Sequence, residues 1–207
     1  MSSVKAAIFD IGRVLVRVDV ARAMNGLAGA IPLGPKEIWS AIEKDPHWPD
    51  LQEGRMSARD WHLHITKRLG GSLSYERFCD AWNAALDPEP IHPDSLLADL
   101  KKNCRIGLLS NTDPVHRAFL ENTYSFFRFV PEKARIFSCS VGSSKPSPII
   151  YQLALKAVKA KANETVFVDD LEANVEAARK LGMRGIHYES PDVLRAELVK
   201  LGLLASV

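Results

Sequence analysis

A nearly continuous apolar run stands at residues 4–10, VKAAIFD, and the pattern recurs at 104–111 (CRIGLLSN), 134–140 (ARIFSCS), 165–170 (TVFVDD) and 184–190 (RGIHYES). Strands wetted on one side alternate apolar and polar residues. Runs this continuous mark strands covered on both faces of a parallel sheet. Helical spacing fills the gaps between the later runs. Leu96, Leu97 and Leu100 share a face; SPIIYQLALKAVKA follows, with Ser147 placed to cap it and Pro148 at its first turn. In LEANVEAARKLG, Val175, Ala178 and Leu181 form a stripe and Gly182 closes the helix. Strands alternating with helices predict a doubly wound, Rossmann-like parallel α/β sheet.

Residues 18–90 break that rhythm. No convincing strand stands there, and helix signals are frequent. Ser57 and Asp60 form a capping pair ahead of Trp61, Ile65 and Leu69, spaced by four; Ser74 caps a second helix carrying Phe78 and Trp82. Proline-rich joints, DPHWPD and DPEPIHPD, separate the pieces. The expected organisation is therefore an α/β core of residues 1–17 and 91–207, with an all-helical insertion over 18–90.

The ends of the predicted strands are polar. The first ends in Asp10, the second in Ser110 and Asn111, the fourth in Asp169 and Asp170, and Lys145 stands just ahead of the helix that begins near Pro148. In open parallel sheets ligands bind beyond the carboxyl ends of the strands, so all of these would meet at one edge. Gathered carboxylates repel one another, and a cation is the simplest means of keeping them ionised. Oxygen ligands alone suit Mg²⁺, which commonly combines carboxylates with a substrate phosphate. A hydroxyl, an amide and an ammonium can grip the phosphate oxygens. One carboxylate facing phosphorus can act as a nucleophile. The pattern reads as phosphoryl transfer to Asp10 followed by hydrolysis.

Composition adds mainly exclusions. The 207 residues are 46% hydrophobic and 25% charged, with a formal net charge of +2. A balance this near neutrality, without runs of like charge, gives no support to nucleic-acid binding. No apolar stretch approaches the ~20 residues needed to cross a bilayer. Cys79, Cys104 and Cys139 are odd in number and far apart, with Cys104 and Cys139 in core-like segments, and no secretory leader is read. The expectation is a cytoplasmic protein without membrane or nucleic-acid partners, acting on a small phosphorylated molecule as a monomer or weak homodimer.

The motifs AAIFDIGRVLV, IGLLSNTD, SSKPSPIIY and VFVDDLEANVEAARKLGM, in that order, resemble the four motifs of the haloacid dehalogenase superfamily, and the helical insertion resembles its C1 cap. The likeness extends over almost the whole chain. It implies that Asp10 is the nucleophile and a metal ligand, and that Ser110, Asn111 and Lys145 bind the phosphate. It further implies that Asp170 ligates Mg²⁺ together with the main-chain carbonyl of Gly12, that Asp169 either ligates the ion or holds a water bound to it, and that Asn174 stands behind them. Phosphatases of this superfamily mostly carry a second aspartate two residues after the nucleophile, as proton donor to the leaving oxygen. Here that residue is Gly12, and Arg13 follows where a small residue is usual. The stretches FDIGRVLVRVD, EGRMS, LSYERFCDAW and LSNTDPVHRAF resemble a bacterial branch that includes α-D-glucose-1-phosphate phosphatases, also with glycine at this place. The resemblance implies a sugar phosphate as substrate and activity without the second aspartate; an anomeric or acyl phosphate, with its comparatively good leaving group, would need an acid least.

Two alternatives stand beside this one: a 2-haloacid dehalogenase, in which Asp10 attacks carbon, and a binding protein of weak activity. In the insertion, His47, Trp48 and Arg55 are candidates for substrate contact. His62 and His64, two apart, do not share a helix face and do not form a zinc pair. His116, one turn into the helix after SNTDP, is a candidate substitute proton donor.

Overall fold

The computed structural model describes residues 3–205. In chain order it contains β1 (Ala6–Phe9), β2 (Val16–Val18), α1 (Val20–Ala28), α2 (Pro35–Glu43), α3 (Trp48–Gln52), α4 (Ala58–Arg68) and α5 (Tyr75–Asn83). Then come β3 (Leu86–Pro90), α6 (Asp94–Asn103), β4 (Arg105–Ser110), α7 (Pro114–Thr123), β5 (Arg135–Phe137) and α8 (Ser138–Val141). The chain closes with α9 (Pro148–Val158), β6 (Thr165–Asp169), α10 (Glu172–Lys180), β7 (Arg184–His187) and α11 (Pro191–Lys200). Five strands form one parallel sheet in the order β5-β4-β1-β6-β7. Every residue of β1 is buried, as its unbroken apolar run requires, with β4 and β6 alongside in matched register: Ile8 faces Gly107 and Phe167. The chain steps outward from β1 through β4 to β5, then returns to the other side of β1 to lay down β6 and β7. The reversal leaves a crevice at the carboxyl ends of β1 and β6, where a ligand site is expected.

Helix ends follow the chemistry of their caps. Ser57, Ser74 and Asp113 accept main-chain N–H bonds at the starts of α4, α5 and α7, and Gly182 takes the left-handed conformation (φ 87°) just past α10. Helices α1–α5 bury their own apolar cluster around Ile38, Ile42, Leu51, Trp61, Phe78 and Trp82, which Val115 of α7 joins from the sheet side. Among the described residues, no helix is long and apolar enough to cross a membrane.

Two features depart from the pattern reading. A short antiparallel ribbon pairs Val16 with Pro90 and Val18 with Leu86, so the segment read as strand-free ends in a strand, β3. Its sequence, LDPEP, holds two prolines that cannot donate to a ladder, and it survives only as one side of a two-stranded ribbon. The run at 134–140 is strand only to Phe137; Ser138 begins the single helical turn α8. There the Ser138 hydroxyl takes the Thr112 N–H (2.9 Å) and gives its own proton to the Thr112 carbonyl (3.1 Å), pinning the loop after β4.

Candidate active site

Each polar strand end lies where the sheet order puts it. Asp10 follows β1 and donates its N–H to the Val168 carbonyl of β6 (2.9 Å), which ties the two strand ends together. A cavity of about 220 Å³ lies above it, walled by Asp10, Gly12, Ser110, Asn111, Lys145 and Asn174, among others. Lys145 reaches in from the loop before α9. Its Nζ stands 2.8 Å from Asp10 Oδ1 and 2.7 Å from Asp169 Oδ2, with only 2% of its side chain exposed.

Asp169 is fully engaged by the protein. Its Oδ2 takes Lys145, and its Oδ1 accepts the Leu171 N–H (2.9 Å) and the Asn174 amide (3.0 Å). Asn174 is held in turn by the Tyr151 hydroxyl on its carbonyl (2.9 Å). Asn111 grips the main chain of Lys145 from both sides, donating to its carbonyl (2.9 Å) and accepting its N–H (2.7 Å). The side chain of Asn111 thus places the lysine. Asp170 is freer, with Arg13 3.9 Å away. Arg13 sits in the left-handed region (φ 60°) beside Gly12, whose own backbone is not in that region.

The charges do not balance. Asp10, Asp169 and Asp170 each bring a carboxylate oxygen within 4.8 Å of the others, against one buried ammonium. Burial pushes the Asp10 carboxyl up to about 6, with the charge of Asp169 adding and Lys145 opposing. Burial and Asp169 likewise raise Asp170, offset in part by Arg13. For Lys145 burial favours the neutral amine, but Asp10 and Asp169 outweigh it and hold the ammonium above the ordinary lysine range. An all-oxygen set with a surplus of negative charge is one a hard divalent cation fits. Replacing Lys145 by Met is expected to cost about 3–5 kcal/mol, because two buried carboxylates lose their counter-charge. That corresponds to a drop of roughly 10 °C in thermal denaturation. An unchanged melting point would show that the triad does not need its lysine.

His116 also lines the cavity, but both its nitrogens are occupied. Nε2 faces the Trp82 carbonyl (2.9 Å) and Nδ1 faces Asp113 Oδ2 (3.0 Å). Both partners are acceptors, an arrangement that favours a proton on each nitrogen. Burial disfavours the charge this brings, yet Asp113 more than compensates and raises the ring above the usual histidine value. Asp113 is correspondingly lowered, its burial outweighed by His116 and by the Trp82 indole N–H (2.9 Å). With both nitrogens facing protein acceptors, His116 acts as a clamp between α5 and α7. Its stabilising contribution is complete below the unfolded histidine pKa of ~6.5 and is lost as pH rises through the higher folded value. That of Asp113 disappears instead as pH falls below ~3.9. Thermal stability should therefore decline as pH is raised above neutrality, and His116→Gln should flatten that decline. A wild-type curve with no fall on the alkaline side would contradict the clamp.

The histidines and arginine of the helical segment are engaged among themselves. His47 and Arg55 both pair with Asp50 (3.0 and 2.7 Å), His64 with buried Asp45 (2.8 Å), and His62 with the Leu73 carbonyl (2.7 Å). Trp48 packs against Trp39, Trp61 and Trp82. Cys79, Cys104 and Cys139 are free thiols, and Cys104 is buried. Trp39 and Leu171, which line this region, went unread in the sequence, where a lone aromatic or a leucine at a helix start carries no distinguishing signal.

A parallel sheet with acid-tipped β1 and β6, a buried lysine between the acids and helices overhead defines an α/β protein with a carboxylate-rich cavity at the carboxyl edge of its sheet. The model of the haloacid dehalogenase-like hydrolase family matches residues 4–182, and the chain belongs to that family. It is 26% identical to the D-ribitol-5-phosphate phosphatase of Bacteroides thetaiotaomicron, over 94% of this chain and 97% of that protein. It is 52% identical to mouse bifunctional epoxide hydrolase 2 over 96% of its own length, and spans 39% of that longer protein. Among solved structures, a haloacid dehalogenase family enzyme of B. thetaiotaomicron in complex with magnesium and inorganic phosphate superposes with a TM-score of 0.81. That pair is 23% identical, over 91% of this chain and 96% of the other.

Proposed function

We propose that this hydrolase is a magnesium-dependent phosphatase acting on a small phosphorylated metabolite through an aspartyl-phosphate on Asp10. The observation that carries the reading is the placement of Asp10: a carboxylate on the cavity wall, 2.8 Å from an ammonium fixed by a second acid. Asp10 Oδ attacks phosphorus while the ester oxygen departs with the electron pair of the P–O bond. Water then attacks the same phosphorus, releasing phosphate and regenerating the carboxylate. Asp10, Asp170 and the Gly12 carbonyl would hold magnesium, with Asp169 behind them, and the ion when bound supplies neutralising charge for the phosphate oxygens. Ser110 and Lys145 bind the phosphate, and Asn111 contributes chiefly by fixing Lys145. Residues 1–17 and 91–207 form the catalytic core; residues 18–90 form a cap that excludes water and selects the leaving group.

With Gly12 in place of an acid, the departing oxygen takes its proton from water. Esters with good leaving groups are then turned over faster than simple alkyl phosphates. The relative at 26% identity makes sugar and polyol phosphates part of any substrate panel. The test is phosphate release from acyl, glycosyl and alkyl phosphates, with magnesium and with chelator, in wild type and Asp10→Asn. Turnover that survives the chelator would overturn the magnesium reading.

A further inference from the structure

The cavity over Asp10 adjoins a second one of about 140 Å³, and Val18, Asn111, Thr112 and His116 line both. An apolar cavity of roughly 150 Å³ accepts a benzene ring, so the side chamber is ring-sized. Its walls include three tryptophans, Trp39 of α2, Trp48 of α3 and Trp82 of α5, with Met24 of α1 beside them. Trp48 is the hub, its ring centroid 6.2 Å from that of Trp39 and 5.9 Å from that of Trp82. It is braced from behind by Trp61, fully buried with centroids 5.7 Å apart. Trp39 and Trp48 are only half-buried and have ring surface to offer.

The polar groups on these walls already have partners. Asp113 is engaged by the Trp82 indole, by His116 and by the N–H groups of Val115 and His116. Both ring nitrogens of His116 face protein acceptors, and Asn111 holds Lys145. The polar side chains left to a guest are those of Gln52 and Thr112. A polyol entering here would exchange water for aromatic faces and find few acceptors for its hydroxyls, which is unfavourable. A hydrocarbon or aryl ring meets edges and faces suited to it.

We infer that the tryptophan chamber is the leaving-group subsite, and that the substrates are phosphate monoesters of alcohols bearing a compact apolar ring close to the ester oxygen. The inference rests on Asp10 being the phosphatase nucleophile, and it departs from the sugar phosphate that the sequence resemblance implies.

The test compares kcat/KM for benzyl phosphate, cyclohexylmethyl phosphate and ribitol 5-phosphate. All are esters of primary alcohols, so leaving-group chemistry is closely matched. Acetyl phosphate, too small to fill the chamber, serves as reference. The wild-type protein should prefer the two ring esters over ribitol 5-phosphate by roughly tenfold to a hundredfold. In Trp48→Ala and Trp39→Ala the ratio of benzyl to acetyl phosphate turnover should fall about tenfold; the wild-type ranking stands even if one variant fails to fold. Equal or better use of ribitol 5-phosphate, or a loss in the variants shared equally by all substrates, would overturn the subsite and leave the phosphatase intact. No phosphate release from any of the four by wild type would overturn the phosphatase reading, and the subsite with it.

Discussion

Asp10→Asn should lower phosphate release by roughly 10⁴-fold or more, the scale seen when a covalent nucleophile is removed. An amide oxygen is too weak a nucleophile to attack phosphorus, and no other carboxylate can take the role. Asp169 is held by Lys145, Leu171 and Asn174, and Asp170 lies off the cavity wall beside Arg13. The variant should fold, because Lys145 keeps Asp169 as its counter-ion at 2.7 Å and loses only one of two partners. A substrate labelled at phosphorus gives the sharper readout. Acid quenching during turnover should leave label on wild-type protein as an acyl phosphate that hydroxylamine removes, and none on the variant. Label retained by Asp10→Asn would move the nucleophile elsewhere. Release of halide from a 2-haloacid by a wild-type protein that frees no phosphate would instead place the attack of Asp10 on carbon.

The sheet was legible in the sequence because burial on both faces writes a continuous signal. Each of the five apolar runs contributes a strand, the third only over Arg135–Phe137, in a parallel order that brings Asp10, Ser110, Lys145 and Asp169 together. What resisted reading was structure set by partners distant in sequence. The ribbon of β2 with β3 is defined by a pairing across the whole helical segment, and LDPEP carries no strand propensity of its own. The engagement of Asn111 with Lys145 spans 34 residues and follows from where the loop before α9 returns. His116 was a reasonable candidate donor from its helix position alone. Only the Trp82 carbonyl on one nitrogen and Asp113 on the other show that both face protein acceptors. Among the tryptophans, Trp61 and Trp82 carry the spacing of a buried helix stripe, and Trp48, in a proline-rich joint, is a candidate for substrate contact. Trp61 is core, Trp82 is buried yet lines the side cavity with Trp48, and Trp39, which no local pattern announces, stands on the same wall.

Gly12→Asp tests what that position lacks. A Cβ built on Gly12 would meet only Val18 Cγ2, at 3.5 Å, an ordinary contact, and the backbone there needs no glycine conformation. The new carboxyl would stand on the wall of the cavity over Asp10, two residues further along the chain, within the same cavity as the proposed nucleophile and its departing oxygen. As general acid for that oxygen, and then as base for the water, it should raise kcat on unactivated alkyl phosphates by about 10²–10⁴-fold. Acetyl phosphate, whose leaving carboxylate needs no proton, should gain little. Plotted against leaving-group basicity, rates of the wild type should therefore fall steeply and those of the variant more gently. The added charge joins an already crowded group of acids, so the variant should melt lower without magnesium and recover when the ion is supplied. A variant that is folded, binds magnesium and yet gains nothing on alkyl phosphates would mean that proton delivery does not limit this enzyme. The chemical step would then be governed by how the cap seats the leaving group, and Gly12 would be a consequence of that specificity.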